Sequence, residues 1–311
     1  MSESEKEYPP YKNEPMSDDK LVELLLSRGL KADRKELTSI IASVGYYRLK
    51  GYLLPFKNAD DTFKPDTDIS KVWNIYTFER RLRLVVMDAL ARIEVALRAA
   101  IVREHLAANP DPFGYVEAEG LPQLRADKHA AMLKKIAEAA KNAEREPPMM
   151  HLRETYGIVK YPPLWIMIQL IPFGTLMHYY QGLPLEVQQR IANQFGVRPL
   201  VLSNWIMLLK KVRNVCAHHG RLWNRHIDSK MSRKIGSSEE LKGLDEALSK
   251  QAQNWFTSVF SFLSLVNYLL TKIRPESQWK ARCVELLKSA DKFTLRGMGF
   301  PDNWRECAIW K

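Results

Sequence analysis

Apolar residues recur every three or four positions along most of the chain. No useful length alternates apolar with polar residues at the strand period, so the pattern predicts an all-α fold, a helical bundle. Ser17 is placed to cap a first helix that carries Leu21, Leu24 and Leu25 on its inner side and ends at Gly29. Asp33 and Glu36 make a capping-box-like start to a second, with Ile40, Ile41 and Val44 inward and Gly45 as its stop. A long helix over 72–108, with Phe78, Leu82, Val85, Ala89, Ile93, Ala96 and Ala100 on one stripe, is the expected central mast, ended by Asn109-Pro-Asp-Pro112. Residues 121–145 read as an exposed, mobile helix rich in Lys and Ala, which Glu146-Pro-Pro148 breaks. Pro162-Pro163 then opens an apolar helix containing Trp165, kinked by Pro172 and Gly174. Further helices are expected over 184–195, from about Leu200 to Gly220, over 254–272 and over 276–290. The charged stretch 229–250 reads as an exposed helix or a flexible connection, and the tail after Gly297 as a strap docked through Phe300 and Trp304.

Polar chemistry concentrates at the end of the helix that starts near Leu200, where Arg213, Asn214 and His218 arrive together before Gly220, the residue expected to take a left-handed helix stop. At about 100° per residue Asn214 and His218 share a face, about 40° apart, whereas Arg213 lies about 140° from His218. Either the last turn opens near Ala217 or a second copy of the segment completes the site. A cation beside an imidazole suits phosphodiester cleavage: the imidazole moves protons near neutrality and the guanidinium holds phosphate oxygens as charge builds. The spacing alone is weak, since Arg221 and His226 give a second match and a solvated cluster at a helix end has the same composition. Cys216 with His218, His219 and His226 as a zinc set, or Cys216 with His219 as a nucleophile pair, are competing readings; neither has a second Cys cluster or an orienting group behind it.

Elsewhere the chemistry is more diffuse. The block from Tyr46 to Phe56 interleaves aromatics with Arg48 and Lys50, either to stack and grip RNA or as a buried aromatic hinge. Arg80, Arg81, Arg83, Arg92 and Arg98 make the long helix a basic wall or a solvated face. Glu94 stands four before Arg98 as an in-helix ion pair, or orients Arg213 or His218. The first two helices also have the form of a DNA-reading helix pair, though the second offers few base-reading side chains.

Several ordered blocks carry a more specific signal: Val44-Gly-Tyr-Tyr-Arg-Leu-Lys-Gly-Tyr-Leu-Leu-Pro-Phe56, Tyr76 to Leu84 running into Asp88 to Arg98, Pro162-Pro-Leu-Trp165, Phe173-Gly174, and Arg213-Asn-Val-Cys-Ala-His-His-Gly-Arg-Leu-Trp-Asn-Arg225. In these the sequence resembles the Abi-like (abortive infection) proteins, a branch of the HEPN superfamily of helical ribonucleases. The resemblance implies an HEPN-type bundle over 71–291, with an arm over 1–16, an N-terminal helical extension over 17–70 and a strap over 292–311. It implies that Arg213 and His218 are the Arg-x4–6-His pair of a metal-independent endoribonuclease, with Asn214 the polar residue after the Arg. His219, Arg221 and Asn224, with Arg48, Lys50 and Arg98, are the candidate RNA contacts. A phage-defence or toxin role, a cognate antitoxin of RNA or protein, and a homodimer are implied too, with no cofactor. A non-catalytic RNA- or protein-binding helical module is the alternative.

Composition adds partners more than fold. The 311 residues, 46% hydrophobic, are enough for a large core, and a net charge of +11 suits an acidic polymer without choosing among RNA, DNA and anionic lipid. The three cysteines have neither paired nor metal-type spacing, which points to a reducing, cytoplasmic setting. Residues 1–10 lack the apolar core of a signal peptide and read as a loose arm. The apolar windows 164–180 and 255–270 fall short of a membrane span.

Overall fold

The computed structural model describes residue 10, residues 14–227 and residues 258–311, and over these the chain is all-α. The connection expected over 229–250 lies outside the described residues, as do the start of the helix expected at 254 and most of the arm. The chain divides into two compact units, one ending at Phe78 and the other starting at Glu79.

The first unit contains α1 (Asp18–Ser27), α2 (Arg34–Val44) and α3 (Tyr46–Leu53). Ser17 caps α1 by accepting from the Lys20 N–H at 3.4 Å, and Asp33 caps α2 by accepting from the Glu36 N–H at 3.0 Å, so each side chain satisfies a donor the helix start leaves free. Leu21, Val22 and Leu25 of α1 pack with Leu37, Ile40 and Ile41 of α2; Leu24 and Val44, both expected inward, are only half buried. Gly45, at φ 77°, turns the chain directly from α2 into α3, a conformation a side chain would strain. In α3 the aromatic block splits: Leu49, Tyr52 and Leu53 are buried, Tyr52 meets Tyr76 edge-on at 5.4 Å, and Tyr47, Arg48 and Lys50 are exposed.

Helix α4 (Ile69–Ala108) begins in the first unit and continues into the second. Its buried stripe runs through Leu82, Val86, Ala89, Leu90, Ile93, Leu97 and Ile101, which leaves Val85 and Ala96, two of the expected core positions, half exposed. After α4 come α5 (Ala126–Asn142), α6 (Pro147–Tyr156), α7 (Leu164–Leu170), α8 (Phe173–Gly182), α9 (Leu185–Gln194) and α10 (Pro199–Ala217). The described chain resumes with α11 (Val259–Ile273), α12 (Trp279–Lys288) and α13 (Lys292–Gly297).

Two expectations fail here for physical reasons. Helix α5 is packed against α7 and α8 rather than exposed, through His129, Met132, Ile136 and Ala140, a narrow stripe whose small and polar members hide its periodicity. The helix expected to kink at Pro172 is broken outright into α7 and α8. Proline drives the preceding residue out of the helical region, and Ile171 sits extended at φ −72°, ψ 142°. In a continuous helix an N–H at position 172 would serve the Ile168 carbonyl, and proline has none. The Arg98 guanidinium takes over, donating from Nη1 to the Ile168 carbonyl and from Nη2 to the Ile171 carbonyl at 3.0 Å, while Glu94 accepts from its Nε at 3.2 Å.

Helix α11 is buried from Val259 to Leu270 without a polar face, the signature of a helix enclosed on all sides. Trp205 of α10 meets its Tyr268 edge-on at 5.7 Å, and Phe260 meets Phe300 at 4.9 Å. Phe300 and Trp304 are buried in an aromatic group completed by Trp310, whose Nε1 donates to Ser264 at 2.8 Å. Among the described residues no helix is long and apolar enough to cross a membrane.

Candidate functional site

Pro199 opens α10 at its first turn, where a missing N–H costs nothing, and the inner face of Val201, Leu202, Trp205, Leu208, Leu209, Val212 and Cys216 sinks into the core. The helix does not open near Ala217. His218 still donates its backbone N–H to the Asn214 carbonyl at 3.0 Å. The chain then closes in a Schellman turn, with the His219 N–H on Cys216 at 3.1 Å and the Gly220 N–H on Val215 at 2.7 Å.

Gly220 was expected to take the left-handed position; His219 takes it instead, at φ 54°. At Gly220 the chain passes close to the helix end: an added Cβ would stand 3.1 Å from the Val215 carbonyl oxygen, tighter than an ordinary contact.

This places Asn214, His218 and His219 exposed around one helix end, with Arg213 and Arg221 half buried beside it. Asn224, left-handed at φ 50°, is exposed with Arg225 and His226 on the continuing strand of chain. Between these polar residues Leu222 and Trp223 are buried and act as anchors. Trp223 Nε1 donates to the Thr294 carbonyl at 3.0 Å, and its indole lies where a Cβ on Gly297 would stand, 2.7 Å from Nε1.

The strongest anchor is one the sequence reading missed. Glu79, on α4, is 0% exposed and accepts two hydrogen bonds at Oε1, from Arg83 Nη1 at 2.6 Å and from the backbone N–H of Leu222 at 2.6 Å. Its other oxygen, Oε2, meets no donor among the described residues. A buried carboxylate is costly unless paired and hydrogen-bonded, so this one ties the segment after α10 to α4. The available signal was the spacing: Glu79 and Arg83 repeat the Glu94 and Arg98 pattern on the same helix. Glu94 was the residue considered as a partner of the site, and it holds Arg98 instead.

Arg98, expected to contact RNA, is buried, with its guanidinium committed to two carbonyls and a carboxylate, and leaves the candidate set. Arg83 of the expected basic wall is likewise buried in its ion pair, while Arg80 and Arg81 are exposed. Arg48 and Lys50 lie on α3 in the first unit. Cys216 faces the core near Glu79 and Arg83; burial pushes its thiol up to about 12, which removes it as a nucleophile at neutral pH. Among the described residues no group of three or more His, Cys, Asp or Glu side chains is placed to hold a metal ion.

Two of the ordered sequence blocks, the one that contains Glu79 and the one that runs from Arg213 to Arg225, meet at this helix end through the Glu79 carboxylate and the Leu222 N–H. The profile of the Abi-like protein family matches residues 39–224, and the chain belongs to that family. Membership points to a role in phage resistance. No curated protein and no solved structure matches the chain.

Proposed function

We propose that the protein is a metal-independent endoribonuclease of the HEPN kind, acting in phage defence or as the toxin of a toxin-antitoxin pair. The observation that carries the reading is the presentation of Arg213, Asn214 and His218 at a closed, solvent-facing helix end whose Cys216 is turned inward. In this chemistry His218 exchanges the proton at the 2′-OH or the leaving 5′-oxygen, Arg213 steadies the phosphate, and Asn214 orients the phosphate or the imidazole. The products are a 2′,3′-cyclic phosphate and a 5′-OH, because the RNA supplies its own nucleophile.

Regular helix geometry through His218 keeps Arg213 about 140° from it and favours completion of the site by a second copy over an opened last turn. The exposed stripe of α10 supports the same reading: Leu200 (70% exposed), Met207 (39%), Lys211, Asn214 and His218 fall within an arc of about 60°. Trp205 and Leu209 are each 1% exposed and belong to the chain's own core, so Leu200 and Met207 supply the apolar part of the contact.

The test is cleavage of single-stranded RNA in EDTA by wild type, Arg213→Ala, His218→Ala and His226→Ala. The first two substitutions should each cost roughly 10² or more in rate, and the third far less. An excess of inactive double mutant should depress wild-type activity below simple dilution. Abolition by EDTA, equal cleavage of DNA, or full activity from a monomer defined by light scattering contradicts the corresponding part of the mechanism.

A further inference from the structure

A trough separate from the helix end runs between α5 and α8 and is closed on one side by α10. Two adjoining cavities of about 460 Å³ and about 370 Å³ share Lys135, Thr175 and His178. Lys210 and Glu138 complete the charged lining of the first; Arg125 and Lys128 complete that of the second, which has no acidic residue.

Arg125 shares its charge with Asp127 at 3.1 Å, but Lys128, Lys135 and Lys210 have no acidic partner among the described residues. Those three ammonium groups surround the His178 imidazole, whose pKa is lowered first by burial, an effect partly offset by the Gln181 hydrogen bond, and then by the lysines themselves. Thr175 is buried, and its hydroxyl finds no hydrogen-bond partner among the described residues although it lines both cavities. At Gly174, in the first turn of α8, no side chain intervenes and a Cβ would stand 3.5 Å from Lys210 Nζ. Repelling cations and an unused hydroxyl gathered along one depression are a site whose charge is completed by something negative.

Length distinguishes a polymer from a small anion. From Arg125 to Asn142 the lining follows α5 for about 25 Å at about 1.5 Å per residue, longer than one nucleotide and within the reach of single-strand binders, which take roughly 4 nucleotides or more. Lys210 stands three residues before Arg213 on α10, on the same side of the helix, so the lining of the trough comes within one helical turn of the helix end already described.

We propose that this trough holds the phosphates of a single-stranded RNA segment that flanks the cleaved bond, with Lys128, Lys135 and Lys210 as the phosphate contacts and Thr175 and His178 between them. This rests on RNA being the ligand of the helix-end site. The contacts are to phosphate and, among the described lining residues, the only aromatic plane is that of His178, so binding is tolerant of sequence and steep in salt.

The experiment measures binding of a fluorescein-labelled 12-nucleotide single-stranded RNA to His218→Ala protein across a KCl series. Wild-type cleavage is scored in parallel, and thermal melts confirm that every variant is folded. Lys128→Ala and Lys135→Ala should each lower the steepness of log K against log salt by about 0.7, and the pair together by about 1.4. Lys134→Ala, the neighbouring α5 position that lines neither cavity, should leave the slope unchanged. RNA bound with these slope changes but never cleaved would retire the nuclease reading and keep the trough. Cleavage with slopes identical in all variants would retire the trough and keep the nuclease. Absence of RNA binding, or binding of polyglutamate in its place, overturns the proposal.

Discussion

Helix α4 carries two ion pairs of the same spacing, Glu79 with Arg83, buried on both sides, and Glu94 with Arg98, buried at the arginine, and they work in opposite directions. In the second pair the arginine reaches out, to the Ile168 and Ile171 carbonyls at the break before Pro172, and the glutamate neutralises it. In the first the glutamate reaches out, to the N–H of Leu222, and the arginine neutralises it. A pair of charges buried at helical spacing is therefore a support whose direction depends on which neighbour lacks a hydrogen-bond partner. One support holds a junction between scaffold helices; the other holds the segment that follows Arg213 and His218.

The largest effects should come from leaving one charge of either pair alone. Glu79→Ala should lower the unfolding free energy, measured in urea, by about 3–5 kcal/mol, because Arg83 stays buried without its counter-charge, and Arg98→Ala should lower it by about 1–3 kcal/mol, because the Ile168 and Ile171 carbonyls lose their donor. Conservative changes should then separate the two regions. Glu79→Asp keeps a charge for Arg83 but draws the carboxylate back from Leu222, and RNA cleavage should fall by roughly tenfold or more, in kcat rather than KM. Arg98→Lys keeps a charge but loses the fork that serves two carbonyls; it should cost stability and leave cleavage, measured well below the melting temperature, as in wild type. Equal loss of cleavage in both would erase the distinction.

A smaller effect is expected at Cys216, which lies beside the first pair. With its thiol pushed up to about 12, iodoacetamide at pH 8 should label it in the native protein slower than in the denatured chain, by on the order of 10². Glu79→Asp should speed that labelling and Arg98→Lys should not, as read by peptide mass mapping. The smallest effect belongs to His105 on α4, which bonds to the Tyr179 hydroxyl at 2.8 Å and whose pKa burial lowers from 6.5. The unfolded chain then takes up this proton first. The contribution of His105 is full above about pH 6.5 and is lost as pH falls through the folded-state value. The melting temperature of wild type should drop between pH 7.5 and pH 5.5 by more than that of His105→Gln, and parallel curves would remove the group from the acid response.

What was legible in the sequence is whatever local chemistry decides. Ser17 and Asp33 cap the helices they were expected to cap, because a side-chain oxygen beside a helix start answers to nearest neighbours. The clustering of Arg213, Asn214 and His218 at one helix end was equally visible, since α10 is regular. What escaped depends on distant partners. Glu79 and Glu94 are indistinguishable until the Leu222 N–H and the Ile168 carbonyl are in place. The apolar residues of α10 could be assigned to a partner chain or to the core only once Tyr268 was found against Trp205. The burial of α5 was obscured because His129 and Ala140 do not read as core residues.

The left-handed His219 makes the end of α10 a place where a search for heat-tolerant variants and a search for active ones would part company. A residue with a Cβ held in that conformation costs on the order of 1 kcal/mol that glycine would not, so selection for thermal endurance alone would trade the imidazole away. At the next position the usual stabilising exchange of glycine for alanine meets the Val215 carbonyl oxygen at 3.1 Å and needs that backbone to give way. A helix stop shaped only by economy of strain would have carried glycine at both positions.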